Sequence, residues 1–509
     1  MNIKIIRENE EYDINGYRGE KISDVMKRAG IAVEYDCGGI GKCGKCKVKI
    51  KEGKSMISET EKEILSNGEL KEGIRLACCG KITGECTFEV KKAENNFSIV
   101  QKSIGNIVVR GNEEGYAAAI DIGTTTVCYR LFDMMSGETV AEVSGLNPQR
   151  EYGADVIARI EKANRGELIK ESELIKNDIM SNILKLTEMG EKKGIRKTLI
   201  NKTLISGNTA MLYLLLGYDC EKLGVYPFEN RINKVLRIKS EELFERDICG
   251  DVIIMPCISA FVGGDIVSGA LFCDVDKKNN SLMIDIGTNG EMILNKDGRL
   301  YCTSAAAGPA FEGGNISDGT GSISGAVYEV RCENGKFSVK TINDEKPVGI
   351  CGTGIIDAVA CLIGNGYIDE NGLLNEKYFE NGVKICDNVT IRQKDIRNIQ
   401  LAKSAIRTAI DIIIKESGAE YDEIEEIFIG GGFGYYIDIE NCIKTGLLPK
   451  IFGGKIKTVG NCSLGGAMMM INEEEIKRAE NICKMTKEII LAEKEGFNER
   501  FIENLKFFS

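Results

Sequence analysis

The sequence predicts a small β-rich domain followed by a larger, two-lobed α/β domain, and three observations carry that prediction. A glycine-rich cysteine loop, YDCGGIGKCGKCKVKIKEGK, occupies residues 35–54. A short apolar run ending in Asp-x-Gly-Thr occurs at residues 117–127 (AAAIDIGTTTV) and again, 164 residues on, at 281–291 (SLMIDIGTNGE). The two copies also match in their continuations. The first runs into VCYRLFD, a Ser136-Gly137 turn and TVAEVSG, and the second into EMILN, an Asp297-Gly298 turn and RLYCTS. Each copy reads as a three-stranded meander opened by a glycine turn, and a repeated supersecondary unit is an architectural signal. Two such lobes facing each other would grip one ligand from both sides.

Composition narrows the classes. A chain of 509 residues has room for several domains and ample core. Hydrophobic residues at 43% and charged residues at 28% describe an ordinary soluble protein. The net charge of −11 argues against a general nucleic-acid binder. No apolar run reaches 18 residues, so no membrane span is expected. The start, MNIKIIRENEEY, becomes charged too soon for a secretory signal, which points to the cytoplasm. Histidine is absent, which removes every histidine-based triad, zinc–histidine site and Rieske centre. The 19 cysteines are an odd number scattered along a long chain, which suits buried thiols and one metal cluster better than a disulfide scaffold.

Residues 1–91 form the predicted β-rich domain. MNIKII and EYDIN read as a hairpin, and Glu20–Gly30 as a helix with Val25 and Met26 turned inward. Cys37, Cys43 and Cys46 then appear with C-x5-C-x2-C spacing, and a fourth thiolate is available in RLACCG, at Cys78 or Cys79. Glycines let such a loop fold over an inorganic cluster and aim N–H groups at its sulfurs. Plant-type ferredoxins space their ligands C-x4-C-x2-C with a distant fourth, one residue shorter than here. Zinc also suits four thiolates, but zinc sites pair two CxxC units. Three ligands crowded in one loop favour a [2Fe–2S] cluster. Cys86, in GECTFEV, reads as structural. Lysines at 42, 45, 47, 49, 51 and 54 are either the solvent face of a strand or a docking surface for an acidic redox partner. Residues 92–115 read as a linker.

The second domain spans 116–509, with the lobe boundary expected near 265–285. In each Asp-x-Gly-Thr turn the glycine admits a ligand to the backbone, and N–H groups and hydroxyls can surround phosphate oxygens. Gly123, Thr124, Thr125 and Thr126 play that part in the first copy, and Gly287, Thr288 and Asn289 in the second. Asp121 and Asp285 stand where a carboxylate can hold Mg²⁺, through water. NPQREYGADV places Gln149 and Asp155 near the expected cleft, ahead of helices at 154–163 and about 169–189. SGNTAM marks a strand–turn–helix. Asp265, after Gly263-Gly264, either orients a water or metal or caps a helix. The glycine-rich stretch 304–326, carrying Glu312 and Asp318, reads as a binding surface or a lid. Helices are expected at 349–369 and 395–416, the latter with Leu401, Ala402, Ala405, Ile406, Ala409 and Ile413 on one side. IEEIFIGGGFGYY is a strand running into Gly430, Gly431 and Gly432, where a flat base can lie on the backbone. KTVGNCSLGGAMMM repeats the strand-to-helix pattern, and the final 38 residues read as charged helices.

Several of these strings resemble a known pattern. DIGTTT, DIGTNGE, IGGGF and GNCSLGGA resemble the phosphate motifs, adenosine motif and a late helix of the actin-like and sugar-kinase ATPase superfamily, whose lobes are ribonuclease-H-like. YGADVIARI, SGNTAM, AAAGPAFEGG, GICGTGIIDA and FIGGGF are similar to the reductive activators of corrinoid-dependent proteins, which join an N-terminal [2Fe–2S] domain of ferredoxin (β-grasp) type to such an ATPase. The resemblance covers nearly the whole chain. It implies cluster ligation by Cys37, Cys43, Cys46 and Cys78, since Cys79 falls where the family shows a polar residue. It implies an ATP and Mg²⁺ site from Asp121 to Thr126, Asp285 to Asn289 and Gly430 to Phe433. Longer relatives carry an extra small domain where this chain has the linker, and the histidine they often show after Gly207 is missing.

The implied activity is ATP-dependent reduction of a Co(II) corrinoid on a partner methyltransfer protein to Co(I), with electrons from an upstream low-potential donor. A homodimer is compatible with it. Attacking water would be oriented by a carboxylate or by Gln149, with Asp265 a further candidate. Ser304, a hydroxyl on a run of alanines small enough to approach a macrocycle, is expected to contact the cobalt side from a loop at 303–314. Two alternatives stand beside this reading: an ATP-coupled iron–sulfur activator of a non-corrinoid enzyme, and a small-molecule kinase with a fused redox domain.

Overall fold

The computed structural model describes residues 1–7, 10–31, 44, 46–53, 55–90, 114–153, 155–195, 200–432 and 437–507. Cys37, Cys43, Lys42, Lys45, Lys54, Phe433 and nearly all of the expected linker lie outside the described residues. The chain divides into two compact units, Met1–Asn96 with Pro148–Leu174, and Phe97–Asn147 with Ile175–Ser509.

In the first unit, period-2 alternation buries Ile3 and Ile5 of the strand Asn2–Arg7, which pairs antiparallel with Glu10–Asn15. The same strand lies parallel to Cys86–Glu89, and a five-stranded sheet forms in the order Glu10–Asn15, Asn2–Arg7, Cys86–Glu89, Lys47–Glu52, Ile74–Leu76. First and last strands side by side, crossed by one helix, are the β-grasp arrangement that the ferredoxin resemblance implies. That helix, Ile22–Arg28, buries Val25 and Met26, and Gly30 at φ +71° ends it in a left-handed turn that favours glycine. Cys86 is buried in its strand. Lys47 and Lys51 form surface ion pairs with Glu69 and Glu89, which assigns them to the strand's solvent face.

The same unit contains the turn Pro148–Glu151 and the helix Val156–Lys162. Asp155, expected near the cleft, is the N-cap of that helix and accepts from Ala158 N at 2.8 Å. A π-helical turn, Ala163–Glu167, comes next, broken by Gly166 at φ +98°.

The second unit holds two six-stranded sheets built to one plan. In the first, Tyr116–Ile122, Thr126–Asp133 and Thr139–Leu146 form an antiparallel meander, and Ile200–Gly207 and Asp251–Ile254 add parallel strands on the other side of Tyr116–Ile122. In the second, Ser281–Ile286, Gly290–Lys296 and Arg299–Ala305 form the meander, and Glu426–Gly430 and Ile456–Gly460 add the parallel strands. This repeated ribonuclease-H-like topology is what the internal repeat predicts. An apolar face on each side of the Asp-bearing strands explains their continuous hydrophobic runs, since strands buried on both faces need not alternate.

Helices Gly264–Phe272 and Cys462–Met469 meet closely, one from each half of the unit. A Cβ at Gly466 would lie 2.0 Å from the Ser268 carbonyl oxygen, so only glycine permits this approach. The contact delivers Asn461 and Ser463 to the first Asp-x-Gly-Thr turn.

Three expectations are corrected. Leu401 is 50% exposed, because the buried stripe of helix Gln393–Ser417 runs through Ala402, Ala405, Ile406, Ala409 and Ile413, one position away. The C-terminal stretch is not all helix: Thr486–Glu488 adds a parallel edge strand beside Arg299–Ala305. Asp265 is not a cap, since Gly263 takes that position and Asp265 sits in the helix's first turn.

Candidate functional site

Each glycine turn is closed by its glycine N–H, over three residues in the first and two in the second. Gly123 N donates to Thr126 O at 3.0 Å, and Gly287 N donates to Asn289 O at 2.9 Å. The first turn is held from outside by two asparagines. Asn147 donates from its side chain to Gly123 O at 2.8 Å and from its backbone to Thr125 O at 2.9 Å. Asn208, the N-cap of helix Thr209–Leu216, donates to Thr124 Oγ1 at 2.9 Å. Thr126 begins the next strand.

Asp121 accepts from Ser463 Oγ at 2.7 Å and Asn461 Nδ2 at 2.9 Å. Burial pushes its carboxyl up, and those two hydrogen bonds pull it back. Asp265 and Asp285 lie in the same electrostatic cluster. Asp265 is pushed up to about 7 by burial and then by the charge of Asp121. Asp285 is pushed up to about 8 by burial, and then by Asp265, Asp121 and Glu312. Glu291 joins them, raised well above its ordinary range by burial and then by Asp265 and Asp285. The structure thus brings Asp121, Asp265 and Asp285 together, as the sequence motifs require, and adds Glu291, Glu312, Asn461 and Ser463. Glu291 was within reach of sequence reasoning as the last residue of DIGTNGE, and Asn461 and Ser463 as the polar pair in GNCSLGG.

Carboxylates crowded this way disfavour one another's ionised forms, and a cation restores them. Among the described residues, no three His, Cys, Asp or Glu side chains gather closely enough to hold a metal ion directly.

Gly431, at φ +86°, brings its backbone against the second motif: a Cβ there would lie 2.5 Å from Asp285 Oδ1. At Gly430 a Cβ would meet Cys462 Sγ at 2.5 Å, whereas at Gly432 it would meet nothing within 4 Å among the described residues. Among those residues, Gly432 is the member of the triplet with open space above it.

Two candidates remain. Gln149 belongs to the first unit, where it is buried and donates from Nε2 to the Glu171 carbonyl at 3.0 Å. Ser304 is a strand residue directly opposite Glu291, not a loop residue; the strand runs to Ala305, and Thr303 donates to Ile489 O at 2.7 Å.

In the first unit, the sulfurs of Cys46 and Cys78 are 3.3 Å apart and both buried. The hydrogen bond shared with Cys46, and then burial, hold the Cys78 thiol far above its usual range. Two thiols so placed ionise together only around a cation, which fits metal ligation. Cys79 Sγ lies 3.5 Å from Cys78 Sγ and is only half-buried. The turn carrying these cysteines is pinned by Glu61, which accepts from Leu76 N at 2.8 Å and closes a capping box with Ser58.

Comparison with known proteins matches three successive segments of the chain. A 2Fe-2S iron–sulfur cluster binding domain model matches residues 6–83, the RACo middle region matches 116–278, and the C-terminal domain of RACo, the ASKHA domain, matches 279–509. The corrinoid activation enzyme RamQ of Eubacterium limosum is 30% identical over 584 aligned positions, covering 98% of each chain. The [Co(II) methylated amine-specific corrinoid protein] reductase of Methanosarcina barkeri is 27% identical, covering 77% of each. A solved reductive activator for corrinoid, iron–sulfur protein shares the fold with a TM-score of 0.69 at 24% identity, over 99% of this chain and 98% of that one. Matched along its length by an iron–sulfur domain, a middle region and an ASKHA domain, and aligned end to end with a curated relative, this chain belongs to the RACo family.

Proposed function

We propose that this protein is an ATP-dependent reductive activator that returns an inactivated Co(II) corrinoid, carried by a partner protein of a methyltransferase system, to Co(I). The observation that carries this reading is the joining, in one chain aligned over 98% with a corrinoid activation enzyme, of a cysteine-ligand domain and a doubled phosphate-turn domain. A [2Fe–2S] cluster, held by Cys37, Cys43, Cys46 and Cys78, would supply one electron at about −400 mV. Co(II) gains that electron and becomes Co(I); in parallel, ATP and water give ADP and phosphate. Corrinoid Co(II) is generally the harder couple to reduce, so a coupled process is needed, and an upstream donor of low potential must re-reduce the protein.

The chain's own residues define what ATP would meet. Gly123 and Gly287 admit phosphate oxygens to the backbone, and the hydroxyls of Thr124, Thr125 and Thr288 are donors to them. Asp121, whose carboxylate accepts from Ser463 and Asn461, would orient the water shell of Mg²⁺. Asp285 does the same from the second turn once the cation's charge lowers its raised carboxyl. Asp265 and Glu291 stand behind them as candidates to orient the attacking water. Gly430, Gly431 and Gly432 offer flat backbone to the adenosine. Most of the catalysis is then positioning and electrostatic stabilisation of the transferred phosphoryl group.

The test is direct. Reduced protein, Mg-ATP and a Co(II) corrinoid protein are mixed and the Co(I) absorption band is followed. Formation of Co(I) that depends on ATP is expected; ATP turnover with no Co(I) overturns the reading. Ser304 is proposed to meet the corrinoid side. Ser304→Ala should then lose Co(I) formation while keeping ATP turnover, whereas loss of turnover would assign Ser304, through its neighbour Glu291, to the nucleotide site.

A further inference from the structure

One carboxylate joins both phosphate turns. Thr125 Oγ1 of the first turn donates to Glu312 Oε2 at 2.6 Å, and Thr288 Oγ1 of the second donates to the same oxygen at 2.8 Å. The other oxygen lies over the second turn: a Cβ on Gly287 would stand 3.3 Å from Glu312 Oε1. An anionic oxygen that takes a hydroxyl from each turn, with its twin above a phosphate-turn glycine, occupies the place that a phosphate group would need.

We propose that Glu312 is a built-in competitor for the nucleotide's phosphates, which must expel it and thereby move the segment that carries it. The proposal rests on the nucleotide reading above. Each threonine hydroxyl has one proton to give, so Glu312 and a phosphate oxygen exclude one another on these donors. Two anions at the same point also repel, and a partly buried setting screens that repulsion poorly.

The side chain stands on a tightly held segment. Glu312 ends the turn Pro309–Glu312, and Gly313 comes next at φ +79° with its backbone so close to Thr320 that a Cβ would meet the Thr320 carbonyl at 2.1 Å. Gly314 N donates back to Pro309 O at 2.8 Å. Beyond the turn, Ser317 donates twice to Asp395 Oδ1, at 2.8 and 2.9 Å. Asp318 accepts from Thr390 N at 2.8 Å and from Arg392 at 3.1 Å. Expulsion of Glu312 is therefore felt along 309–320 and at the N-terminus of helix Gln393–Ser417. Nucleotide occupancy becomes a displacement of a segment outside the phosphate turns, where a bound partner can sense it.

The experiment compares full-length protein with Glu312→Gln and Glu312→Asp, which keep the size or the charge of the side chain but not both. Titration calorimetry with Mg-ATP or a slowly hydrolysed analogue measures affinity, and hydrogen exchange tracks residues 309–320 with and without nucleotide. Affinity in Glu312→Gln should rise about ten-fold or more, the scale of losing a charge-assisted competitor. Its nucleotide-free exchange pattern at 309–320 should already equal that of the nucleotide-bound wild type. Glu312→Asp, too short to reach both threonines, should shift the same way by less. Unchanged affinity with unchanged exchange overturns the proposal. Weakened affinity also overturns it and makes Glu312 a ligand of the bound Mg-nucleotide instead. A wild-type protein that binds no nucleotide overturns the nucleotide reading itself, which the wild-type titration reports separately.

Discussion

The glycine triplet offers a quantitative test of the second half of the site. Three neighbouring Gly→Ala changes add the same methyl group, yet the structure ranks them. At Gly431 the methyl would lie 2.5 Å from Asp285 Oδ1 and 2.8 Å from Ile286 O, at a backbone φ of +86°. The left-handed conformation costs alanine about 1–2 kcal/mol. Overpacking against a fixed strand adds about 1–3 kcal/mol. Gly431→Ala should thus destabilise by about 2–5 kcal/mol, and at about 2 °C per kcal/mol for a lobe of this size its Tm should fall by about 4–10 °C. Gly430→Ala is crowded by the Cys462 sulfur at 2.5 Å, with Asp285 Oδ2 and Gly460 O at an ordinary 3.6 Å and without the backbone penalty, so it should fall between. At Gly432 the methyl meets nothing within 4 Å among the described residues, so Tm should stay within about 1 °C. Calorimetric melts of the nucleotide-free proteins measure the ranking. Nucleotide titrations then separate stability from recognition: Gly432→Ala should weaken ATP binding without moving Tm, because the open space above it is where the base would lie. Equal Tm values for the Gly431 and Gly432 variants would refute the geometry on which the adenosine assignment stands.

The other expectations are simpler to state. Cys78→Ser should abolish or grossly alter the cluster while Cys79→Ser leaves it, as read by iron content and EPR of the reduced protein; iron loss in the Cys79 variant would reassign the fourth ligand. Asp121→Ala and Asp285→Ala should each lower Mg-ATP turnover by roughly 10²-fold with iron content unchanged, the scale of one lost electrostatic contact. Full activity in both would sink the two-lobe site. Glu171 is buried, and neither carboxylate oxygen has a hydrogen-bond partner among the described residues. Burial pushes it up to about 8 from 4.5. Between those two values the folded state binds more protons than the unfolded one, so this group makes stability fall as pH rises through the window. Glu171→Gln should remove that slope and, allowing for screening by water, gain about 1–2 kcal/mol at pH 8. Melts at pH 5.5 and 8 decide it, and a slope that persists in the variant removes Glu171 as its source.

Much of this protein is written locally. The two Asp-x-Gly-Thr turns, the meanders after them and the doubled sheet plan come from apolar runs and turn residues that act within a dozen positions of one another. The ligand loop is equally local, since C-x5-C-x2-C spacing among glycines constrains its chemistry before any folding. Tertiary structure decided what joins these pieces. Asp121 is held by Asn461 across 340 residues, and Thr125 by Glu312 across 187. No periodicity reports such pairs, because a hydrogen-bond partner is selected by where two elements end after packing, not by spacing along the chain. The same reason accounts for the corrected readings. Leu401 looked apolar enough for the buried stripe, but helix rotation is set by whichever face the neighbouring sheet accepts. Thr486–Glu488 is too short and polar to signal a strand, and is one only because the edge beside Arg299–Ala305 offers it partners. Pro148–Leu174 follows the first meander in sequence yet belongs to the unit of the ferredoxin-type sheet, since contacts rather than sequence neighbourhood decide membership of a compact unit.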